Sequence, residues 1–134
     1  MKFEMILLMS FVTACGCAQL DSSSDFATRA AHMKQSGEEY ARCITAQADK
    51  DAKNPAGADD IAAAAHGRCW TQWQAYRDAT NESFRSSART PQEAQLARDK
   101  ADAHLRQAEL EARRGVVDRI IERSLSNKSR PTSE

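Results

Sequence analysis

Two cysteines constrain this chain more than any other feature, because they lie in helix-like segments on opposite sides of a strong break. The break is Asn54-Pro55-Ala56-Gly57, where proline disfavours a helical residue before it and glycine accepts turn conformations. On both sides, apolar or small residues recur at alternating steps of three and four, the period of one helix face. The first face comprises Phe26, Ala30, Met33, Gly37, Tyr40, Ala41, Ile44 and Ala48, and the second Ala62, Ala65, His66, Cys69, Trp73, Tyr76 and Thr80.

The two cysteines, Cys43 and Cys69, should lie level in the resulting antiparallel hairpin. A first helix ending near Ala52 and a second beginning near Asp60 leave each cysteine roughly 13 Å from the turn. Asp59 or Asp60 is expected to cap the second helix. A disulfide requires Cα atoms about 4.4–6.8 Å apart, and the alanines nearby permit that approach. Closing this loop of about 25 residues should stabilise the fold by roughly 3 kcal/mol.

A metal site formed by Cys43, His66 and Cys69 is the main alternative to the disulfide. Zinc usually takes four ligands, or three and an open position, and the sequence offers no evident fourth residue. Unpaired buried thiols are a further alternative. We favour the disulfide, and we expect neither a metal nor any other cofactor.

Residues 1–18 have the pattern of an export signal, with one lysine before an apolar run too short to span a bilayer. The run ends at Val12-Thr13-Ala14-Cys15, which resembles the lipobox of bacterial lipoproteins. That resemblance implies that the signal ends before Cys15 and that Cys15 carries a lipid. The alternative is cleavage after Ala18, which would release a soluble protein. In either case the chain reaches the oxidising cell envelope or periplasm, which favours the disulfide.

Composition argues against several functions. The 19 basic and 19 acidic residues balance, which is unlike a nucleic-acid-binding chain. Alanine replaces the large aliphatic residues, so the helices should be strong and their packing thin. His32, His66 and His104 fall on three different predicted helices, and His32 and His104 have polar neighbours and are expected to be solvated. Without a nucleophile, base and orienting group in one pocket, we expect no enzyme.

Three aromatic residues, Trp70, Trp73 and Tyr76, are candidates for binding a partner, because exposed aromatic side chains often anchor interfaces. The helical phase also allows a structural role. Trp73 and Tyr76 follow the face of Cys69 and would fill the core, whereas Trp70 lies to its side.

A third helix begins with the clearest local signal in the chain, Thr90-Pro91-Gln92-Glu93, in which Thr90 and Glu93 form a capping box. A small and apolar stripe then runs to about Leu125, which gives a helix of roughly 50 Å. This helix could fold back on the hairpin as a three-helix bundle, or form an elongated coil that self-associates. The candidate contacts for self-association are Val116, Val117, Ile120 and Ile121.

The sequence therefore predicts an all-α protein: a disulfide-linked antiparallel hairpin followed by a long third helix. Residues 19–25 are predicted to be a tether, residues 26–125 a helical domain and residues 126–134 a disordered tail. The pattern Tyr40-x-x-Cys43, an alanine-rich segment and then Cys69 resembles a class of small bacterial secreted proteins and lipoproteins. That class has no established activity, so the resemblance, which covers residues 40–77, implies architecture only.

Two functional hypotheses follow from the sequence. One is a lipid-anchored envelope module that binds another protein, as an inhibitor or an assembly factor. The other is a structural envelope lipoprotein that self-associates through the third helix.

Overall fold

The computed structural model describes residues 18–53 and 55–128, with side chains described from Ser24 onward. Four helices account for nearly all of this part of the chain: α1 (Ala18–Asp51), α2 (Ala58–Arg68), α3 (Trp70–Arg85) and α4 (Pro91–Lys128). No strand occurs in these ranges. The prediction of an all-α protein with a Cys43–Cys69 disulfide is confirmed.

α1 runs antiparallel to the second arm, which consists of α2 and α3. Contacts between the arms run in opposite order along the chain: Arg29 meets Glu82, Gly37 meets Tyr76, and Cys43 is bonded to Cys69. The two cysteine Cα atoms are 5.9 Å apart, inside the range that a disulfide requires.

The start of α2 differs from the prediction. Gly57 occupies the N-cap position with an extended backbone, and no side chain caps the helix. Asp59 and Asp60 lie inside the first turn instead, so the prediction that one of them is the cap was wrong. Their carboxylates still lie where the helix dipole favours negative charge.

The second arm is not one continuous helix. Regular geometry is interrupted at Cys69, whose N–H is shared between the carbonyl oxygens of Ala65 and His66, at 3.1 Å each. The Trp73 N–H then donates to the Cys69 carbonyl at 2.9 Å and starts α3. The interruption coincides with the disulfide, where the helix backbones approach closely, and follows Gly67, a weak helix former.

α4 begins as predicted. The Glu93 N–H donates to the Thr90 hydroxyl oxygen at 3.2 Å, and the Thr90 N–H donates to the Glu93 carboxylate at 3.0 Å. Both halves of the capping box are therefore present. The backbone N–H of Arg89 donates to the same carboxylate, which holds the pKa of Glu93 below its usual value.

α4 packs against both arms of the hairpin to complete a helical bundle. It runs parallel to α1, since Arg119 binds Asp49, and antiparallel to the second arm, since His104 binds Tyr76. The predicted stripe faces inward: Ala97, Ala101, Leu105 and Val116 are all buried.

Both outer helix ends extend beyond their predicted positions. α1 already includes the residues predicted as a tether, 19–25, and α4 continues to Lys128. Neither stretch contains proline or glycine, so local sequence does not stop the helix. The export signal, Cys15 and Cys17 lie outside the described residues, as do residues 129–134.

The core occupies the half of the bundle that contains the disulfide. Its members are contributed by all four helices: Tyr40, Ile44, Ala48, Ile61, Ala62, Ala65, Cys69, Trp73, Tyr76, Leu105 and Val116. Phe26, predicted to lie on the packed face of the first helix, is 58% exposed. At the end of the bundle beside the α3–α4 loop, the facing residues are largely small or polar and leave a cavity instead.

Candidate functional site

The candidate binding surface is the region around Trp70, and the disulfide next to it links α1 covalently to the start of α3. Cys69 is fully buried and Cys43 packs against the core, so both sulfur atoms are committed to one covalent link. The alternative of a metal site at Cys43, His66 and Cys69 is therefore wrong. No group of three or more potential metal ligands occurs in the described ranges.

Aromatic and imidazole rings form a row from beside the disulfide, through the buried Tyr40, Trp73 and Tyr76, to the exposed His104. We call this set, His66, Tyr40, Trp73, Tyr76 and His104, the aromatic row. Successive ring centroids lie 5.1–6.1 Å apart, in tilted or edge-to-face contacts. Such contacts add to the free energy of burying the rings. Trp73 and Tyr76 are buried here, as their helical phase predicts.

Two tyrosine hydroxyls bind the two imidazoles of the aromatic row. The Tyr40 hydroxyl lies 2.7 Å from His66 Nδ1, and the Tyr76 hydroxyl lies 2.7 Å from His104 Nε2. His104 also stacks against Phe84. His104 is exposed, as expected, but its ring also binds Tyr76 on α3, and this spacing of 28 residues leaves no local sequence signal.

The electrostatics around Tyr40 keep its hydroxyl protonated. Burial, reinforced by the negative charge of Glu109, raises the pKa of Tyr40 to about 12. Burial also lowers the pKa of His66, against the opposing effect of Glu109. At neutral pH, a neutral His66 can accept the Tyr40 proton at Nδ1 and direct Nε2–H at Glu109, whose carboxylate lies 3.8 Å away. Tyr40 thus remains protonated and acts structurally.

Of the three predicted partner-binding aromatics, only Trp70 is exposed, at 52%. It is the first residue of α3, directly after Cys69. Its ring meets the ring of His66 in a T-shaped contact, with the centroids 6.3 Å apart. Glu109, paired with Arg113 at 2.7 Å, also approaches His66, with its carboxylate 3.8 Å from Nε2. The site therefore presents one large ring beside a fixed pair of charges.

The predicted self-association residues are divided between the core and the surface. Val116 is 2% exposed and belongs to the core, and Val117 and Ile120 pack against it. Ile121 is 46% exposed, and Leu125, one turn further along α4, is 60% exposed. Of the four predicted residues, only Ile121 therefore offers a largely exposed apolar side chain to another molecule.

The sequence did not reveal a groove at the end of the bundle near the α3–α4 loop. This loop-end groove is a cavity of about 460 Å³, and its main apolar lining residues are Phe26, Met33, Phe84 and Leu96. Phe26 and Leu96 stand at its surface, at 58% and 53% exposure. In the sequence, the groove is indicated only by several small residues around the α3–α4 loop, which cannot fill the space beside Phe26: Ser83, Ser87, Ala88 and Ala97.

A polar cleft lies beside the loop-end groove, across the last turns of α3. It is lined by three arginines, Arg29, Arg85 and Arg98, together with Asp78 and Glu82. Arg29 is paired with Asp25 and with Glu82. Arg85 and Arg98 form no ion pair with any described carboxylate.

Comparison of the chain with models of protein families, with curated proteins and with solved structures finds no match in any of the three. Among the described helices, none combines the length and the apolar character needed to cross a membrane.

Proposed function

We propose that this protein is a non-enzymatic binding module of the cell envelope, anchored to a membrane by a lipid on Cys15, that recognises another protein through the surface around Trp70. In this proposal the hairpin and α4 act as a three-helix bundle, and the bound protein is inhibited or assembled by contact alone. Neither a cofactor nor nucleic acid takes part.

The observation that carries the proposal is the exposure of Trp70 on a rigid support. Tryptophan is among the residues most enriched at the energetic centres of interfaces. The ring is held by His66, and the helix behind it is fixed by the disulfide and by Trp73. Because this contact already restricts the ring, binding would cost less conformational entropy than for a side chain without neighbours.

The lipid anchor is supported by the lipobox-like sequence Val12-Thr13-Ala14-Cys15. An intact mass of protein purified from its native envelope tests this part directly. A mature chain that starts at Cys15 and carries acyl groups is the expected result. A chain that starts at Gln19 and carries no lipid would contradict the anchor and indicate a free periplasmic or secreted protein.

A second candidate function, self-association as a structural lipoprotein, is favoured by the exposed Ile121 and Leu125 on the last turns of α4. Sedimentation over a range of concentrations distinguishes it. Ile121→Asp is the suitable variant, since Ile121 lies at the surface, whereas Val116→Asp would place a charge in the core. A concentration-dependent oligomer that Ile121→Asp abolishes would favour the structural function.

Photo-crosslinking in intact cells tests the binding function. A photoreactive phenylalanine replaces Trp70, and the matched control replaces Leu110, an apolar residue that is 63% exposed on α4. We expect one dominant heterologous product from position 70 and none of that mass from position 110. Trp70→Ala should also reduce crosslinking from Thr71, its exposed neighbour. Equal products from positions 70 and 110 would contradict the proposal.

A further inference from the structure

We propose that the surface around Trp70 contains an acid-sensitive switch, in which Glu109 leaves Arg113 and binds His66 once that imidazole takes up a proton. The switch regulates the surface to which the proposed function assigns partner binding, so its purpose rests on that function. Its mechanism involves only residues of this chain and is tested without a partner.

The ring of His66 on α2 contacts residues from the three other helices. From α1, the Tyr40 hydroxyl lies 2.7 Å from Nδ1. From α3, the uncharged rings of Trp70 and Trp73 contact the imidazole, with centroids 6.3 and 5.6 Å away. From α4, the Glu109 carboxylate lies 3.8 Å from Nε2. A change in the charge of His66 therefore acts on all three helices.

Glu109 lies between two groups that compete for the same carboxylate oxygen. Its Oε1 is 2.7 Å from Nη2 of Arg113 and 3.8 Å from Nε2 of His66. The first distance is that of a charge-assisted hydrogen bond, and the second lies just beyond hydrogen-bonding reach. A small movement of the carboxylate would thus bring it to His66.

Arg113 is the weaker of the two partners for this carboxylate once His66 is charged. Its side chain is 41% exposed and that of His66 only 12%, so water screens an ion pair with His66 less. The Nε atom of Arg113 is buried without a hydrogen-bond partner among the described residues, which costs free energy. A guanidinium released toward water recovers part of that cost.

Protonation of His66 drives the exchange. Burial lowers the pKa of His66 below its ordinary value of about 6.5, Glu109 opposes this effect, and the positive charge of Arg113 adds to it. As the pH falls through the pKa of the folded protein, the imidazolium attracts Glu109 and repels Arg113. Both interactions therefore favour the same exchange.

The hydrogen bond to Tyr40 must reverse at the same time. In an imidazolium both ring nitrogens are donors, so Nδ1–H donates to the Tyr40 oxygen. The pKa of Tyr40 is raised to about 12, so its hydroxyl keeps its own hydrogen and must turn it away from the ring. This reversal in a buried position opposes protonation, and it couples the switch to α1.

The exchange changes what a partner meets beside Trp70. At neutral pH, the site holds a neutral imidazole and a closed ion pair between Glu109 and Arg113. In acid, it holds an imidazolium paired with Glu109 and a free guanidinium, so it gains a positive charge. The imidazolium also attracts the indole ring more strongly than the neutral imidazole does. Binding at this surface would therefore depend on pH.

NMR of the isolated protein tests the switch, because the chain contains only two tryptophans. A fluorinated tryptophan gives one signal each for Trp70 and Trp73, and Trp70→Phe assigns them. The ring protons of His66, assigned with His66→Gln, are followed in the same samples between about pH 8 and about pH 5. Circular dichroism checks the fold at each pH.

We expect the Trp70 signal and the His66 ring to titrate together, with a midpoint below about pH 6.5. The Nε signal of Arg113, assigned by its loss in Arg113→Gln, should move at the same midpoint. This movement should be lost in Glu109→Gln, because there is then no ion pair to exchange.

The two charges on α4 should shift the midpoint in opposite directions. Glu109→Gln should move it to lower pH, because the carboxylate stabilises the imidazolium, and Arg113→Gln should move it to higher pH, because a repelling charge is removed. The matched controls, Glu111→Gln and Arg114→Gln, change two exposed residues of α4 and should leave the midpoint in place.

A His66 ring that titrates without a change in the Trp70 and Arg113 signals would overturn the inference. So would a midpoint that Glu109→Gln leaves in place, or a ring that stays neutral until the protein unfolds. These results do not depend on partner binding. Failure of the partner hypothesis is seen separately, as loss of the crosslink from position 70.

Discussion

Alanine buries little apolar area, and the two ends of this bundle differ in what they pack besides alanine. The disulfide half (residues 36–52, 58–80 and 101–120) contains the covalent link and the aromatic row. The loop end (residues 24–33 and 81–100) has an exposed phenylalanine beside a cavity. Stability is therefore concentrated in the disulfide half, whereas the loop end keeps a large apolar side chain exposed beside an open cavity.

The largest expected difference between the two regions comes from removing one aromatic ring from each. Trp73→Ala should lower the free energy of unfolding by about 3–5 kcal/mol, because the ring is buried against Tyr40, His66 and Tyr76. Phe26→Ala should change it by about 0.5 kcal/mol or less. Urea denaturation followed by circular dichroism measures both. Similar losses for the two variants would contradict the division of the bundle.

Removal of the disulfide is the next largest change. The double variant Cys43→Ser with Cys69→Ser should lose about 3 kcal/mol of stability, since the unfolded chain regains the entropy of an open loop. Denaturation of the unmodified protein with and without reductant provides an independent comparison. A loss below about 1 kcal/mol would mean that the aromatic row alone holds the half together.

The hydrogen bond between Tyr40 and His66 should contribute less. Tyr40→Phe removes the hydroxyl and leaves His66 Nδ1 without its partner, so a loss of about 1–2 kcal/mol is expected. The matched variant Tyr76→Phe removes the bond to His104, which lies nearer the surface, and should cost less. Thermal denaturation of the two variants compares them directly; a larger effect of Tyr76→Phe would reverse this ranking.

His66 should also give the stability a pH dependence near neutrality. Since burial lowers its pKa in the folded protein, the unfolded chain takes up the proton first as the pH falls. Stability should therefore be full above about pH 6.5 and decline below it, until the folded protein is protonated as well. His66→Gln should remove this part of the profile. A midpoint of urea denaturation that rises as the pH falls below neutrality would contradict the assignment.

Two glycines should show the smallest difference. A Cβ at Gly115 meets no atom within 4 Å, so Gly115→Ala should stabilise α4 by about 0.5–1 kcal/mol. A Cβ at Gly37 would lie 3.0 Å from the ring of Tyr76, which Trp73 and His104 hold in place. Gly37→Ala should therefore give no gain in the free energy of unfolding, or should lower it. Equal stabilisation by both substitutions would show that the Tyr76 ring is not held.

Local signals in the sequence were sufficient for much of the disulfide half and for the start of α4. The proline break, the matching depth of Cys43 and Cys69, and the capping box each act over short or simply related distances, and each was confirmed. The burial of Trp73 and Tyr76 also followed from helical phase.

The remaining features depend on residues that approach from other helices. The interruption at Cys69 comes where two backbones are drawn together, and the contact of His104 with Tyr76 needs the register of α4 against α3. Phe26 has the correct phase for the core but lines an open groove together with Phe84 and Leu96 from other helices, which periodicity within one helix does not reveal. For the same reason the loop-end groove was missed.

Native-state hydrogen exchange along α1 tests the central claim most directly, because this one helix passes through both regions. The expected result is that amides of residues 40–48, beside the disulfide and the aromatic row, exchange only through global unfolding. Amides of residues 25–33, beside the loop-end groove, should exchange far faster through local opening. Uniform protection along the whole of α1 would show that the two halves form one cooperative unit and would contradict the account.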